Sequence, residues 1–137
     1  MSAPVALYLD TSAVLHAILE SGTTPELEEK LATATILLTS RLSLVEVARA
    51  FLRIRELRTV SEATLADATR DLTGLWRRCH IWELTQGVCR LAADVAPGER
   101  LRTLDALHLA TYLLAREHIA GLELVTADER LRQAAGL

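Results

Sequence analysis

A chain of 137 residues is the usual size of one domain and can bury roughly two thirds of its unfolded surface. Half of the residues are hydrophobic and only 4% are aromatic, which excludes a disordered chain and indicates a core of Leu, Val, Ile and Ala. A net charge of −3 excludes a broadly basic nucleic-acid binder but leaves room for a local basic patch.

Short apolar runs alternate with longer stretches of helical spacing, the pattern of an α/β protein with a mainly parallel sheet. Strands are predicted near Val5 to Leu9, Thr35 to Leu38, His80 to Leu84 and Leu122 to Thr126. Helices are predicted over Thr11 to Leu19, Pro25 to Thr33, Leu42 to Arg55, Glu62 to Arg77, Gln86 to Val95, Leu104 to His118 and Glu129 to Ala134. Thr24-Pro25-Glu26 offers a hydroxyl cap, a first-turn proline and an acid at the positive helix end. Ser61 opens another helix in the same way, Pro97-Gly98 closes the Gln86 helix, and Gly121 stops the long Leu104 helix.

Cys79 and Cys89 are too far apart for a Cys-x-x-Cys unit and no His pair accompanies them, so neither zinc nor a thioredoxin-like motif is indicated, and reduced thiols are expected. No basic region precedes the first apolar run, and nowhere do 18 apolar residues follow one another. The expectation is a cytoplasmic protein with no membrane association. Lys30 is the only lysine. The remaining positive charge is arginine, the better bidentate partner for phosphate or carboxylate.

Four acids draw attention by position. Asp10 and Asp128 each follow a predicted strand and precede a predicted helix, where an acid can simply cap exposed N–H groups. Glu46 shares a helical face with Arg49 and Arg53, and Asp105 lies in a first helical turn. Each is ordinary alone. In an open parallel sheet, however, ligands bind outside the carboxyl ends of the strands, and Asp10 and Asp128 fall there, with Glu46 two helical turns beyond the second strand. Asp105 stands among Leu104, Ala106, Leu107, Leu109 and Ala110, and a buried acid among apolar neighbours is costly unless paired or metal-bound. Converging carboxylates repel one another unless a cation intervenes. Oxygen-only ligands suit Mg²⁺ or Mn²⁺, and the hydroxyls of Thr11, Ser12 and Thr126 could steady such carboxylates from behind or act as plain caps.

In order and context these segments resemble the PIN-domain ribonucleases, and among them the VapC-type toxins of bacterial toxin–antitoxin pairs. Asp10-Thr11-Ser12 resembles the family's first-strand motif and Ser43-Leu44-Val45-Glu46-Val47 its glutamate segment. Leu104-Asp105-Ala106-Leu107-His108-Leu109-Ala110 is similar to its most recognisable stretch, and Leu124-Val125-Thr126-Ala127-Asp128-Glu129-Arg130-Leu131 to its C-terminal signature. The resemblance implies one PIN-like domain over residues 1–137, built as a three-layer α/β/α sandwich around a central, mainly parallel sheet. It implies metal-assisted hydrolysis of RNA, often tRNA or rRNA, with Mg²⁺ (or Mn²⁺) held by Asp10, Asp105 and Asp128 and with Glu46 positioning ion or water. It further implies a small antitoxin partner and a homodimer.

An RNA substrate would need cations beyond the acids. Arg49 and Arg53 are the first candidates and Arg102 and Arg100 the next, each also readable as a solvated or ion-paired residue. His108, three residues after Asp105, could act as a general acid but fits a buried supporting role better. Trp76 and Trp82 read as core residues, as do Leu52, Leu57, Leu65 and Leu72, unless the helical hairpin they mark forms an antitoxin groove. Other folds with an acid after the first strand fit poorly: a receiver domain wants a late lysine, a haloacid dehalogenase-like phosphatase wants an aspartate where Ser12 stands, and a dinucleotide enzyme wants a glycine-rich first turn. Two alternatives to the toxin stay open, a catalytically quiet PIN-like module acting through its antitoxin complex and a housekeeping RNA-processing nuclease.

Overall fold

A computed structural model of the chain describes residues 5–20 and 24–137. Its elements in order are β1 (Ala6–Leu9), α1 (Thr11–Leu19), α2 (Pro25–Thr33), β2 (Ile36–Ser40), α3 (Arg41–Leu57), α4 (Glu62–Arg78), β3 (Cys79–Trp82), α5 (Gln86–Asp94), α6 (Thr103–Arg116), β4 (Glu123–Val125) and α7 (Glu129–Ala134). The strands form one sheet in the order β3-β2-β1-β4, every neighbouring pair parallel. This is the parallel α/β sheet expected from the alternation of runs, in the α/β/α layering that the family resemblance implied.

β1 is buried along its whole length, and its side chains alternate between two cores as a pleated strand requires. Leu7 and Leu9 join Val14, Leu31, Val47, Phe51, Leu65 and Leu75 beneath α1 to α4. Ala6 and Tyr8 join Leu38, Leu109, Tyr112, Leu124 and Leu131 beneath α6 and α7. A parallel strand covered on both faces reads as an unbroken apolar run, which is why β1 is legible in the sequence.

β1 pairs with β2 on one side and β4 on the other. The chain leaves β1 through α1 and α2 on one face, and leaves β4 through α7 on the other. The carboxyl ends of β1 and β4 therefore flank the point where connections diverge, the crevice in which open α/β sheets bind ligands.

Differences from the predicted boundaries have local causes. β2 runs to Ser40 rather than ending at Leu38, because Thr39 and Ser40, polar but fully buried, continue the pairing opposite Leu9, Ile81 and Trp82. The Thr39 hydroxyl donates to the Leu9 carbonyl at 2.7 Å, which satisfies it inside the sheet. Ser40 then caps α3, accepting from the Leu42 N–H at 3.0 Å, so that helix starts at Arg41. β3 is shifted to Cys79–Trp82, and the next residue, Glu83, turns outward to pair with Arg41.

Ser61 caps α4 by accepting from the Thr64 N–H. Thr24 makes no side-chain cap bond to α2. Its hydroxyl lies 2.6 Å from His16 Nε2 instead, so that predicted cap is not formed although Pro25 does open the helix. Gly121 adopts φ 72° just before β4, a left-handed conformation that favours glycine. Leu65 is buried and Leu72, Trp76 and Trp82 pack partly buried against the cores, whereas Leu52 and Leu57 are exposed. Both cysteines are free thiols, and burial, the main cause, pushes Cys79 up to about 11. Among the described residues no helix is long and apolar enough to cross a membrane.

Two substitutions test this account in urea denaturation. Leu109→Ala, in the core under α6, should lower the unfolding free energy by about 2–5 kcal/mol, and Ser61→Ala by about 1 kcal/mol through the lost cap. An unchanged midpoint for Leu109→Ala would contradict the packing of α6 on the sheet.

Candidate active site

Asp10 follows the last residue of β1 and is 4% exposed. Burying an ionised carboxylate is expensive unless its lone pairs are met, and three donors from two segments meet them. Oδ1 accepts from the Ser12 hydroxyl at 2.7 Å and the Ala13 N–H at 2.9 Å, and Oδ2 accepts from the Thr126 hydroxyl at 2.5 Å. All three donors are neutral. A carboxylate offers about four lone-pair positions, so Asp10 keeps one for a further partner. The capping and pocket readings of this residue are thus compatible, since the Ala13 bond caps α1 while Thr126 ties the carboxylate to β4.

The same hydroxyls organise the loop after β4. Ser12 Oγ accepts from the Ala127 N–H at 2.9 Å, and Thr126 Oγ1 accepts from the Asp128 N–H at 3.0 Å. Asp128 uses Oδ1 to cap α7 at the Arg130 N–H, and among the described residues its Oδ2 has no partner. Asp10 and Asp128 are therefore linked through Thr126 across the crevice between β1 and β4.

A second network surrounds Glu46 on α3. Its Oε1 accepts from the Thr11 hydroxyl at 2.6 Å and lies 2.8 Å from His108 Nε2, while Oε2 has no partner among the described residues. The other His108 nitrogen, Nδ1, lies 2.9 Å from the Tyr8 hydroxyl. Partial burial pulls the Glu46 pKa up, yet the hydrogen bonds from His108 and Thr11, with the charges of His108 and Arg102, outweigh it and hold the group below its usual value. Burial, followed by the charges of Asp10 and Glu46, pushes the Tyr8 hydroxyl far above its ordinary range, against hydrogen bonds from Thr111 and Ser40. His108 is buried with both nitrogens engaged. It has no edge free for substrate, which disfavours the general-acid reading and favours the supporting one.

Asp105 lies in the first turn of α6, one turn before His108, with its side chain 17% exposed. Arg102 Nε stands 3.5 Å from its Oδ2, too long for a strong hydrogen bond. Arg49 and Arg53 are exposed on α3, and among the described residues neither forms an ion pair.

Four carboxylates thus present unused oxygens: one position on Asp10 Oδ2, and Glu46 Oε2, Asp105 Oδ1 and Asp128 Oδ2. The donor set is all hard oxygen and carries little cationic compensation, which fits Mg²⁺ or Mn²⁺ in kind. Among the described residues no three His, Cys, Asp or Glu groups are close enough together to hold one ion, so the set does not form a closed cage. Tyr8, Thr39 and Ser43 went unnoticed as site residues. Ser43, fully buried, lies 2.8 Å from the Thr39 hydroxyl, to which it can donate because Thr39 gives its own proton to Leu9, and stands 3.5 Å from Thr11. The available signal was its position one helical turn before Glu46, and a lone hydroxyl at Tyr8 in an apolar strand.

Known proteins share both sequence and fold. The PIN domain family profile matches residues 7–137. Ribonuclease VapC49 of Mycobacterium tuberculosis is 33% identical over 134 residues, covering 94% of this chain and 88% of that protein. Ribonuclease VapC35 of the same species is 36% identical over 131 residues, covering 94% and 89%. Among solved structures, PAE2754 from Pyrobaculum aerophilum superposes with a TM-score of 0.67 at 22% identity, over 95% of this chain and 79% of that one. VapBC2 from Rickettsia felis bound to a DNA fragment from their promoter gives 0.56 at 15% identity, over 89% and 99%. With the four-stranded parallel sheet, the acids at its carboxyl edge and these relatives, the chain belongs to the PIN-domain family, within its VapC-type branch.

Proposed function

We propose that this protein is a metal-dependent endoribonuclease, the toxin of a toxin–antitoxin pair, which hydrolyses RNA phosphodiester bonds, with tRNA or rRNA as the expected substrates. The observation that carries this reading is Asp10: a buried carboxylate at the crevice between β1 and β4, held only by neutral donors and with one lone-pair position left for a cation. The naming of its relatives as ribonucleases supports the same chemistry.

Asp10, Asp105 and Asp128 would hold Mg²⁺ or Mn²⁺, which when bound neutralises the acids, lowers the pKa of a water and stabilises charge developing on phosphate oxygens. The chain's own residues supply the rest. Ser12 and Thr126 keep Asp10 in place, and Thr126 also positions the backbone leading to Asp128. Thr11 and His108 occupy one oxygen of Glu46 and leave the other to orient water or ion. Arg49, Arg53 and Arg102 would meet flanking phosphates, each contact adding counterion release.

The partner and setting follow the same reading: a small antitoxin, a homodimer, a cytoplasmic location, and a single domain over residues 1–137. A cavity of about 340 Å³ lies where α1, α3 and α4 meet, lined by Ile18, Leu19, Ile54, Val60 and Leu65. Leu19 and Val60 of its lining are exposed, an apolar surface suited to an antitoxin helix.

Asp10→Asn and Asp105→Asn should each reduce cleavage of end-labelled RNA by about 100-fold or more and relieve growth inhibition on expression, and excess chelator should abolish cleavage by the wild type. Activity that survives both substitutions, or survives chelator, overturns the proposal. Glu46 provides a check that needs no RNA. Its folded pKa lies below the ordinary 4.5, so its charged form stabilises the fold fully above the unfolded pKa, and this contribution disappears as pH falls through the folded value. In chelator, Glu46→Gln should therefore flatten the acid-side decline of Tm relative to wild type. Parallel Tm profiles below pH 4.5 would show that Glu46 is not held as described.

A further inference from the structure

We propose that His108 is the positioning residue for Glu46, setting from the strand that carries Asp10 which oxygen of Glu46 is offered to the site. The inference rests on the ribonuclease reading and adds to it a residue that does not touch substrate.

The Glu46 carboxylate has only acceptors to offer, so the nitrogen 2.8 Å from its Oε1, His108 Nε2, must carry a hydrogen. In the neutral ring Nδ1 is then the bare nitrogen, and the Tyr8 hydroxyl, 2.9 Å away, donates to it. One tautomer satisfies both contacts, and no buried side-chain polar atom among the described residues is left without a partner. The ring is also wedged edge-on against Tyr8, with centroids 6.2 Å apart and planes at 76°.

A glutamate on a helix has several rotamers of similar energy, and ordering it costs entropy. Thr11, at the start of α1, and His108, on α6, remove that freedom by both acting on Oε1, leaving Oε2 as the open oxygen. Tyr8 lies two residues before Asp10 on the most buried strand. Strand β1 consequently sets Asp10 directly and Glu46 by way of His108, while α6 carries His108 and Asp105 one turn apart. The imidazole is the piece that relates three acids on three elements.

A double-mutant cycle separates this role from simple support of the fold, because residues acting through one another give non-additive losses. The readouts are single-turnover cleavage of an end-labelled RNA with Mn²⁺, and Mn²⁺ binding followed by electron paramagnetic resonance without RNA. His108→Leu keeps an apolar side chain of similar bulk but removes the donor, and should slow cleavage and weaken Mn²⁺ binding by about 10- to 100-fold, with KM for RNA unchanged. His108→Gln, whose amide N–H can still reach Glu46, should recover most of both. In a Glu46→Gln background, His108→Leu should change either readout by no more than about twofold. Losses that multiply in the double variant, a His108→Gln as defective as His108→Leu, or a His108→Leu at the wild-type rate would each overturn the inference. Should His108→Leu not fold, Tyr8→Phe removes a single hydroxyl from the same chain of contacts. It should give a several-fold loss in cleavage that again vanishes beside Glu46→Gln, and additive losses there count against the inference equally. A wild-type protein that cleaves no RNA overturns the ribonuclease reading itself, whereas an active wild type with multiplicative losses overturns only the role of His108.

Discussion

The arrangement turns on a carboxylate kept out of water at the end of the central strand. Removing an ionised Asp10 from solvent costs several kcal/mol unless hydrogen bonds replace those of water, and in this chain the replacements come from Ser12, Ala13 and Thr126. Those three residues belong to α1 and to the loop that follows β4. Satisfying the charge thus ties the first strand to the fourth, 116 positions apart in sequence, and does so without an arginine or lysine that would neutralise it.

Two polar networks grow from β1 and differ in character. The Asp10–Ser12–Thr126–Asp128 network consists of hydroxyls and backbone N–H groups in the crevice, and holds two acids that each also cap a helix. The Tyr8–His108–Glu46–Thr11 network, like the first, has two buried and two half-buried members, and it brings an imidazole to an acid of the site. Low dielectric makes each such bond worth more and each missing partner costlier, which accounts for the full satisfaction of the buried side-chain groups among the described residues. Of the acids with open oxygens, Asp10 and Asp128 belong to the first network and Glu46 to the second. Arg49 and Arg53, exposed on α3, stand outside them and form no ion pair among the described residues.

Much of this was legible in the linear chain. Apolar runs marked the strands and helical spacing the helices among the described residues, most clearly at β1, which is buried along its whole length and therefore apolar throughout. Motif order pointed to Asp10, Glu46, Asp105 and Asp128 as a set. Polar residues that the fold buries were harder to read. Thr39 and Ser40 fell outside the predicted second strand, yet the Leu9 carbonyl takes the Thr39 hydroxyl inside the sheet and Ser40 caps α3. Thr24 looked like a helix cap, but its hydroxyl is taken by His16, a partner eight residues earlier. Arg102, a candidate to meet RNA, also stands 3.5 Å from Asp105.

The sequence by itself determined the alternation of elements, the class of fold and the identities of the acids, since these follow from local periodicity, capping chemistry and the order of motifs. Tertiary structure alone decided which oxygen of each acid is occupied and which is open. It also decided that His108 faces Glu46 rather than solvent and that Tyr8 stands behind it. Those outcomes depend on contacts between residues 62 and 100 positions apart, and no local pattern encodes a hydrogen bond whose two ends meet only after the sheet has closed.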